Sequence, residues 1–188
     1  MNASATLIVS DWKNTNDQLI IQDSDSGLEW LDLSVTTGMS ILDVQADTEL
    51  SGFRSATIAE VMDLFEISAL DANWISTSSQ HLSRVSFLID NFRSTTWQPS
   101  LFSKPAISGR VDQNFDTTTA TSTVFQIGYN TDATNYIAKS YGSSHGSSSS
   151  STGNFLVRDS SVTVPEPTAL SLLALGLFGI GFSRRRKS

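Results

Sequence analysis

Gly142-Ser143-Ser144-His145-Gly146 has the spacing of the G-x-S-x-G nucleophile elbow, in which a serine on a strand-to-helix turn attacks a carbonyl beside an oxyanion hole. Here the pattern opens the run "GSSHGSSSSSTG", where eight of the ten residues 143–152 are Ser or Thr. Such a run supplies no apolar face for a following helix. Serine abundance accounts for the match, and the segment reads as a solvated loop. "DSDSG", Asp23–Gly27, imitates the start of a Ca²⁺ loop, but the positions that should hold Gly and Glu hold Leu28 and Ser34. A turn is the better reading. His81 and His145 are the only histidines, too few for a histidine-based metal site. The absence of cysteine excludes disulfides, thiol catalysis and thiolate ligands, without fixing the compartment. No motif nominates a carboxylate pair for glycoside hydrolysis. The sequence thus nominates no catalytic residue, no metal ligand and no cofactor.

Charge narrows the partners. The formal net charge is -7, and four terminal cations mask a more acidic body: residues 1–163 hold 18 acids against 8 bases. A body at -10, with its cations scattered singly, repels phosphate backbones and excludes nucleic acid as a partner.

The sharpest chemical signal is one of recognition, and it lies at the chain's end. Val164-Pro165-Glu166-Pro167 is held extended by its prolines. From Ala169 to Phe182, through Leu172, Leu175 and Phe178, the only polar residue is Ser171. These 14 residues would make a helix about 21 Å long, against a hydrocarbon core of roughly 30 Å. A core helix needs a polar face, and this one has none, so the run reads as a short membrane span. Arg184, Arg185, Arg186 and Lys187 follow and keep that end cytoplasmic, leaving the body outside.

Proline-glutamate-proline, short apolar run and basic cluster, in that order at a chain terminus, resemble the PEP-CTERM sorting signal of Gram-negative bacteria that make extracellular polysaccharide. The resemblance covers about 25 residues, with Gly176, Gly179 and Gly181 in its apolar part. It implies removal of the tail by an exosortase, a transient stay in the inner membrane, and a final place at the cell surface or outside, with exopolysaccharide as a candidate partner. Export also calls for an entry signal. The small-x-small triplet Ala3-Ser4-Ala5 before "TLIVS" has the form of a signal-peptidase site, which places the expected start upstream of Met1.

The elements of the body follow from pattern. Leu7–Val9 and Leu19–Ile21 read as strands, and "DSDSG" turns the second into "LEWLDL", with Leu28, Trp30 and Asp32 on one face and Glu29, Leu31 and Leu33 on the other. Ser40 caps a helix carrying Ile41, Val44 and Thr48. Thr57 and Glu60 form a capping box before Ile58, Val61, Leu64 and Phe65. Leu82, Val85, Leu88, Ile89 and Phe92 make the stripe of a third helix. After Pro105, "AISGRVDQNF", "STVFQIGYN", "NYIAKSY" and "NFLVRDS" read as four strands of one antiparallel sheet.

Gly27, Leu28 and Trp30, then Gly52, Phe53, Arg54, Thr57 and Glu60, then Val157 and Arg158, resemble the order of conserved positions in the Lcl-type domain. Ala56 stands where that family has proline, and its cysteine pair is missing. The resemblance implies a C-type-lectin-like antiparallel sheet with two to three helices. Ca²⁺-dependent sugar binding in that fold needs acidic triplets, and Gln98-Pro99-Ser100 does not supply them. From the residues themselves, Gly27 serves the turn, Trp30 anchors the core and Arg54 pairs with Glu60. Trp30, Phe53, Val61, Phe65, Phe125, Ile127 and Leu156 are expected in one core.

The expected organisation is an α+β domain over residues 1–159, a linker at 160–167 and a sorting helix with its basic tail at 168–188. The leading function is a non-catalytic exported surface or matrix protein. The alternative is an adhesin-like module binding glycan or protein through loops after Pro99 and around Gly142. A hydrolase is a third, disfavoured reading.

Overall fold

The computed structural model describes residues 6–67, 74–76, 79–93, 106–112, 121–129 and 136–160. Strands β1 (Leu7–Ser10), β2 (Ile20–Asp23), β3 (Leu28–Leu31), β4 (Arg54–Ser55) and β10 (Leu156–Asp159) form one sheet, ordered β1-β2-β3-β10-β4. Strands β5 (Trp74–Ser76), β6 (Ile107–Asp112), β7 (Thr121–Tyr129), β8 (Tyr136–Ser144) and β9 (Gly153–Asn154) form the other, ordered β5-β8-β7-β6-β9. All pairings are antiparallel except β6 with β9. Helices α1 (Ile41–Ala46), α2 (Ile58–Leu64) and α3 (Ser79–Asn91) complete an α+β architecture dominated by sheet.

Local signals place these elements well. Gly27 takes φ +68° and donates its N–H to the Asp23 carbonyl, closing the β2–β3 hairpin. Ser40 and Asp43 cap α1 reciprocally, as Thr57 and Glu60 cap α2. On α3, Val85, Leu88 and Ile89 are buried together with Phe92 just beyond its end, and Leu82 packs beside them.

Four expectations change. The late strands do not share one sheet: β6, β7 and β8 form the second, while β10 inserts between β3 and β4 of the first. The cause is Phe155, which leaves β9 with its N–H bonded to the Arg110 carbonyl and gives its own carbonyl to Ala56 N–H. Its ring is fully buried and meets Trp30, Phe65 and Phe92 edge-on, at centroid distances of 6.3, 6.2 and 6.0 Å. The space it needs is kept at Gly109, where a Cβ would collide with that ring.

The alternation of "LEWLDL" also stops early. Asp32 accepts the Ser34 N–H and starts the 3₁₀ turn Leu33–Thr36. Leu33 therefore joins the core containing Trp30 instead of facing the same way as Leu31. The expected single core is two. Trp30, Val61, Phe65, Phe125 and Ile127 lie between the sheets and helices. Leu156 and half-buried Phe53 lie on the other side of the first sheet, with Ile20, Leu31, Val44 and Leu50. Finally, the serine-rich segment is less of a loop than expected. β8 runs through Ser144, His145 and Thr152 are buried, and the Ser149 carbonyl accepts Gly38 N–H.

The sorting tetrapeptide Val164–Pro167, the apolar run and Arg184–Lys187 lie outside the described residues. So does the expected loop after Pro99, residues 100–105. Among the described residues, no helix is long and apolar enough to cross a membrane.

Candidate functional site

Three regions of the body bear on function: the turn beside which the described residues end, the flank carrying Arg54, and the outer face of the second sheet. At the turn, the Asp23 carboxylate accepts the Asp25 N–H at 3.1 Å and the Ser26 hydroxyl at 3.0 Å. It also faces Arg84 of α3 at 3.6 Å, and Arg84 donates to the Leu64 carbonyl at 2.6 Å. The carboxylate that imitated a Ca²⁺ ligand is thus committed to shaping the turn and tying it to the helices. Among the described residues, no group of three or more His, Asp or Glu is placed to hold a metal ion.

The first and last described residues of the body meet this turn. Thr6 and Ser24 are joined by Thr6 N–H to Ser24 Oγ at 2.9 Å and Ser24 N–H to the Thr6 carbonyl at 3.2 Å. Ser160, one residue beyond β10, donates its N–H to the Gly27 carbonyl at 2.8 Å.

On the flank, β10 brings the family-like positions together. Val157 is paired with Trp30 on one side and with Arg54 on the other. Arg54 grips Glu60 with both terminal nitrogens, the longer contact being 2.9 Å. That hydrogen bonding, helped by the Thr57 N–H and hydroxyl against partial burial, brings the Glu60 carboxyl down to about 2 and raises the Arg54 guanidinium. The expected pair is therefore present, as a helix cap braced by an arginine. Beside it, Arg158 stacks 4.7 Å over the Phe53 ring and binds Glu29 at 2.7 Å. A cleft of about 450 Å³ opens here, lined by Val44, Asp47, Leu50, Phe53, Arg54 and Leu156 among others.

The third region went unseen in the sequence. Ser108, Arg110 and Asp112 of β6 and Ser122 and Gln126 of β7 share one face, and all are buried. His145 Nε2 lies 3.1 Å from Asp112 Oδ1 and 2.8 Å from the Thr121 carbonyl. Arg110 donates to the Met39 carbonyl at 3.3 Å, and burial lowers its pKa. Asn154 bonds the Thr36 hydroxyl and the Met39 carbonyl, and Thr152 reaches Ser108 at 3.2 Å. Serine, histidine and aspartate occur in this region, but Ser122, His145 and Asp112 are 1, 4 and 2 % exposed. The buried Ser122 hydroxyl has no hydrogen-bond partner among the described residues, so it is not joined to the His145–Asp112 pair. Arg110 and Asn154 hold the Gly38–Ile41 segment on the sheet through the Met39 carbonyl, and His145 and Thr152 hold the serine-rich segment there. The G-x-S-x-G serine, Ser144, ends a strand rather than an elbow leading into a helix, and its hydroxyl pairs with that of Ser147 at 2.7 Å. The only sequence sign of this region was the strict alternation of polar residues in "SGRVD", which equally fits a solvated face.

Residues 163–187 match the PEP-CTERM protein-sorting motif. The PEP-CTERM motif begins three residues beyond Ser160, where the described body ends. It marks the chain for export and for processing by an exosortase, as its C-terminal residues implied. No curated protein and no solved structure matches the chain, so the lectin-like resemblance of the body finds no support from a relative.

Proposed function

We propose that this is a non-catalytic surface or matrix protein, anchored briefly in the inner membrane by Ala169–Phe182 and released by exosortase among exopolysaccharide. The match of residues 163–187 to the sorting motif carries the reading. Arg184–Lys187 hold the terminus in the cytoplasm, and the short apolar run suits a temporary anchor. The body contributes a compact cargo. β10 lies inside its sheet, so a cut beyond Ser160 removes no strand from the described fold. A lectin-like body agrees with the pairing of β10 against β3, which closes the two ends of the fold on each other.

Cells expressing Pro165→Ala with Glu166→Ala should accumulate full-length protein in the inner membrane, while the unaltered chain appears shortened outside. Equal shortening of both, read by mass spectrometry of the mature protein, would refute exosortase sorting through this motif.

A second reading, a glycan- or protein-binding module, is favoured by the cleft beside Phe53, where an aromatic ring, Arg54 and Asp47 converge. It moves the binding surface away from Gly142, which lies within β8.

A further inference from the structure

We infer that the Asp23–Gly27 turn is the membrane-facing pole of the body while the chain is anchored, the surface presented to lipid headgroups before release. This rests on the anchored stage proposed above and adds the orientation. Ser160 is fixed to Gly27 by its N–H, so the tail departs from this turn and not from a free end. Nine residues lead from Ser160 to Ala169, and fully extended they reach at most about 32 Å. Any segment preceding Thr6 leaves from the same place, because Thr6 is bonded to Ser24 in both directions. Both covalent exits therefore converge on one five-residue turn.

The chemistry of this pole suits a surface that approaches headgroups without adhering. Ser24, Asp25, Ser26 and Gly27 are exposed, as is Asp159. Among the described residues the nearby cations are engaged: Arg84 with Asp23 and Glu66, Arg158 with Glu29, and Arg54 with Glu60. Carboxylates without a free cation are repelled by anionic lipid. The body should stand off the bilayer on its linker, leaving Val164–Pro167 open to a protease. The opposite pole lies past the far end of β3, where Gly38 N–H meets the Ser149 carbonyl. For that pole to face the lipid, the linker would have to run back along the body.

The chain has no cysteine, so single substitutions give clean labels. Asp25→Cys and Ser148→Cys both replace exposed residues, at the near and far poles respectively. Each full-length variant, matched to the parent in melting temperature, is labelled with a donor fluorophore. It is then reconstituted into phosphatidylcholine vesicles carrying an acceptor on the headgroup. Energy transfer from position 25 should exceed that from position 148 at least about twofold, since β3 alone puts about 10 Å between the poles. Vesicle-bound protein with equal or reversed transfer overturns the orientation and leaves the anchored stage standing. Failure of both variants to float with the vesicles removes the anchored stage, and the orientation with it.

Discussion

The two sheets bury their faces by opposite means. In the first, both faces bury mainly apolar side chains: Ile21, Leu28 and Trp30 enter one core, and Ile20 and Leu31 the other, while the buried carboxylates Asp23 and Glu29 face Arg84 and Arg158. In the second, Ile107, Val111, Phe125 and Ile127 line the shared core, while the reverse face buries Ser108, Arg110, Asp112, Ser122 and Gln126. Apolar burial is favourable wherever shape permits, at about 25 cal/mol per Å². Polar burial is tolerated only when each donor and acceptor finds a partner, so it demands specific neighbours. On the second sheet the Gly38–Ile41 segment and His145 to Thr152 supply partners for Arg110, Asp112 and Ser108, while Ser122 Oγ and Arg110 Nε are buried without a hydrogen bond among the described residues. The first sheet should therefore fail by losing volume, and the second by losing a single partner.

The largest effect is expected where the two sheets join. Phe155→Ala removes the ring that Trp30, Phe65 and Phe92 all meet, and Gly109 leaves no atom able to fill the space. The loss should be about 3–5 kcal/mol, comparable with the whole stability of a marginal domain that has no disulfide. Urea or thermal unfolding measures it. A loss under about 1 kcal/mol would mean that Phe155 does not join the two sheets as described.

How much of this was legible follows the range of the interactions. The β2–β3 turn, both helix caps and the Arg54–Glu60 pair were readable because each is settled within about six residues of sequence. Asp43, the acid of the α1 cap, was missed although Ser40 was not; the S-x-x-D spacing could have shown it. Phe155 was not readable as a junction. Its partners stand as far away in sequence as Trp30, and "NFLVRDS" alone gives no sign that the chain changes sheets within it. His145 was misread for a related reason. A histidine within a serine run has the composition of a loop, and only Asp112 and the Thr121 carbonyl, distant in sequence, make it part of the interior.

His145 offers the intermediate test. His145→Ala leaves the Asp112 carboxylate and the Thr121 carbonyl without the ring nitrogen between them, so a loss of about 1–3 kcal/mol is expected. Ser148→Ala, three residues on and exposed, should stay within about 0.5 kcal/mol. Matched unfolding midpoints for the two variants would return the whole serine-rich segment to the solvent and abolish the contrast between the sheets. By the same geometry this segment cannot be shortened freely. Removing Ser147–Ser151 takes away the Ser149 carbonyl, the shorter of the two bonds that hold Gly38, and leaves only that of Thr152 at 3.4 Å.

The smallest expected effect belongs to the first sheet's edge, where polar groups pair in partial contact with water. Hydrogen bonds from Arg54 and then Thr57, set against partial burial, bring the Glu60 carboxyl from 4.5 down to about 2. A carboxyl whose pKa is depressed on folding binds its proton more weakly in the folded chain than in the unfolded one. Its contribution is therefore complete above pH 4.5 and disappears as pH falls through about 2. Solvent screening keeps it modest, because the Arg54 side chain is 42 % exposed, and pairs of this kind are worth about 0.2–1 kcal/mol. Asp17, also brought down to about 2 by four backbone N–H groups against burial, titrates in the same window, so the wild-type acid profile alone mixes the two. Comparison with Glu60→Gln separates them, since the amide keeps the shape of the cap and Asp17 is common to both chains. The melting temperature of the variant should lie about 1–3 °C below wild type at pH 6. The two curves should converge as pH approaches 2. Curves that stay parallel across this range would show that the charge of Glu60 does not hold Arg54, leaving the cap to the Thr57 bonds alone.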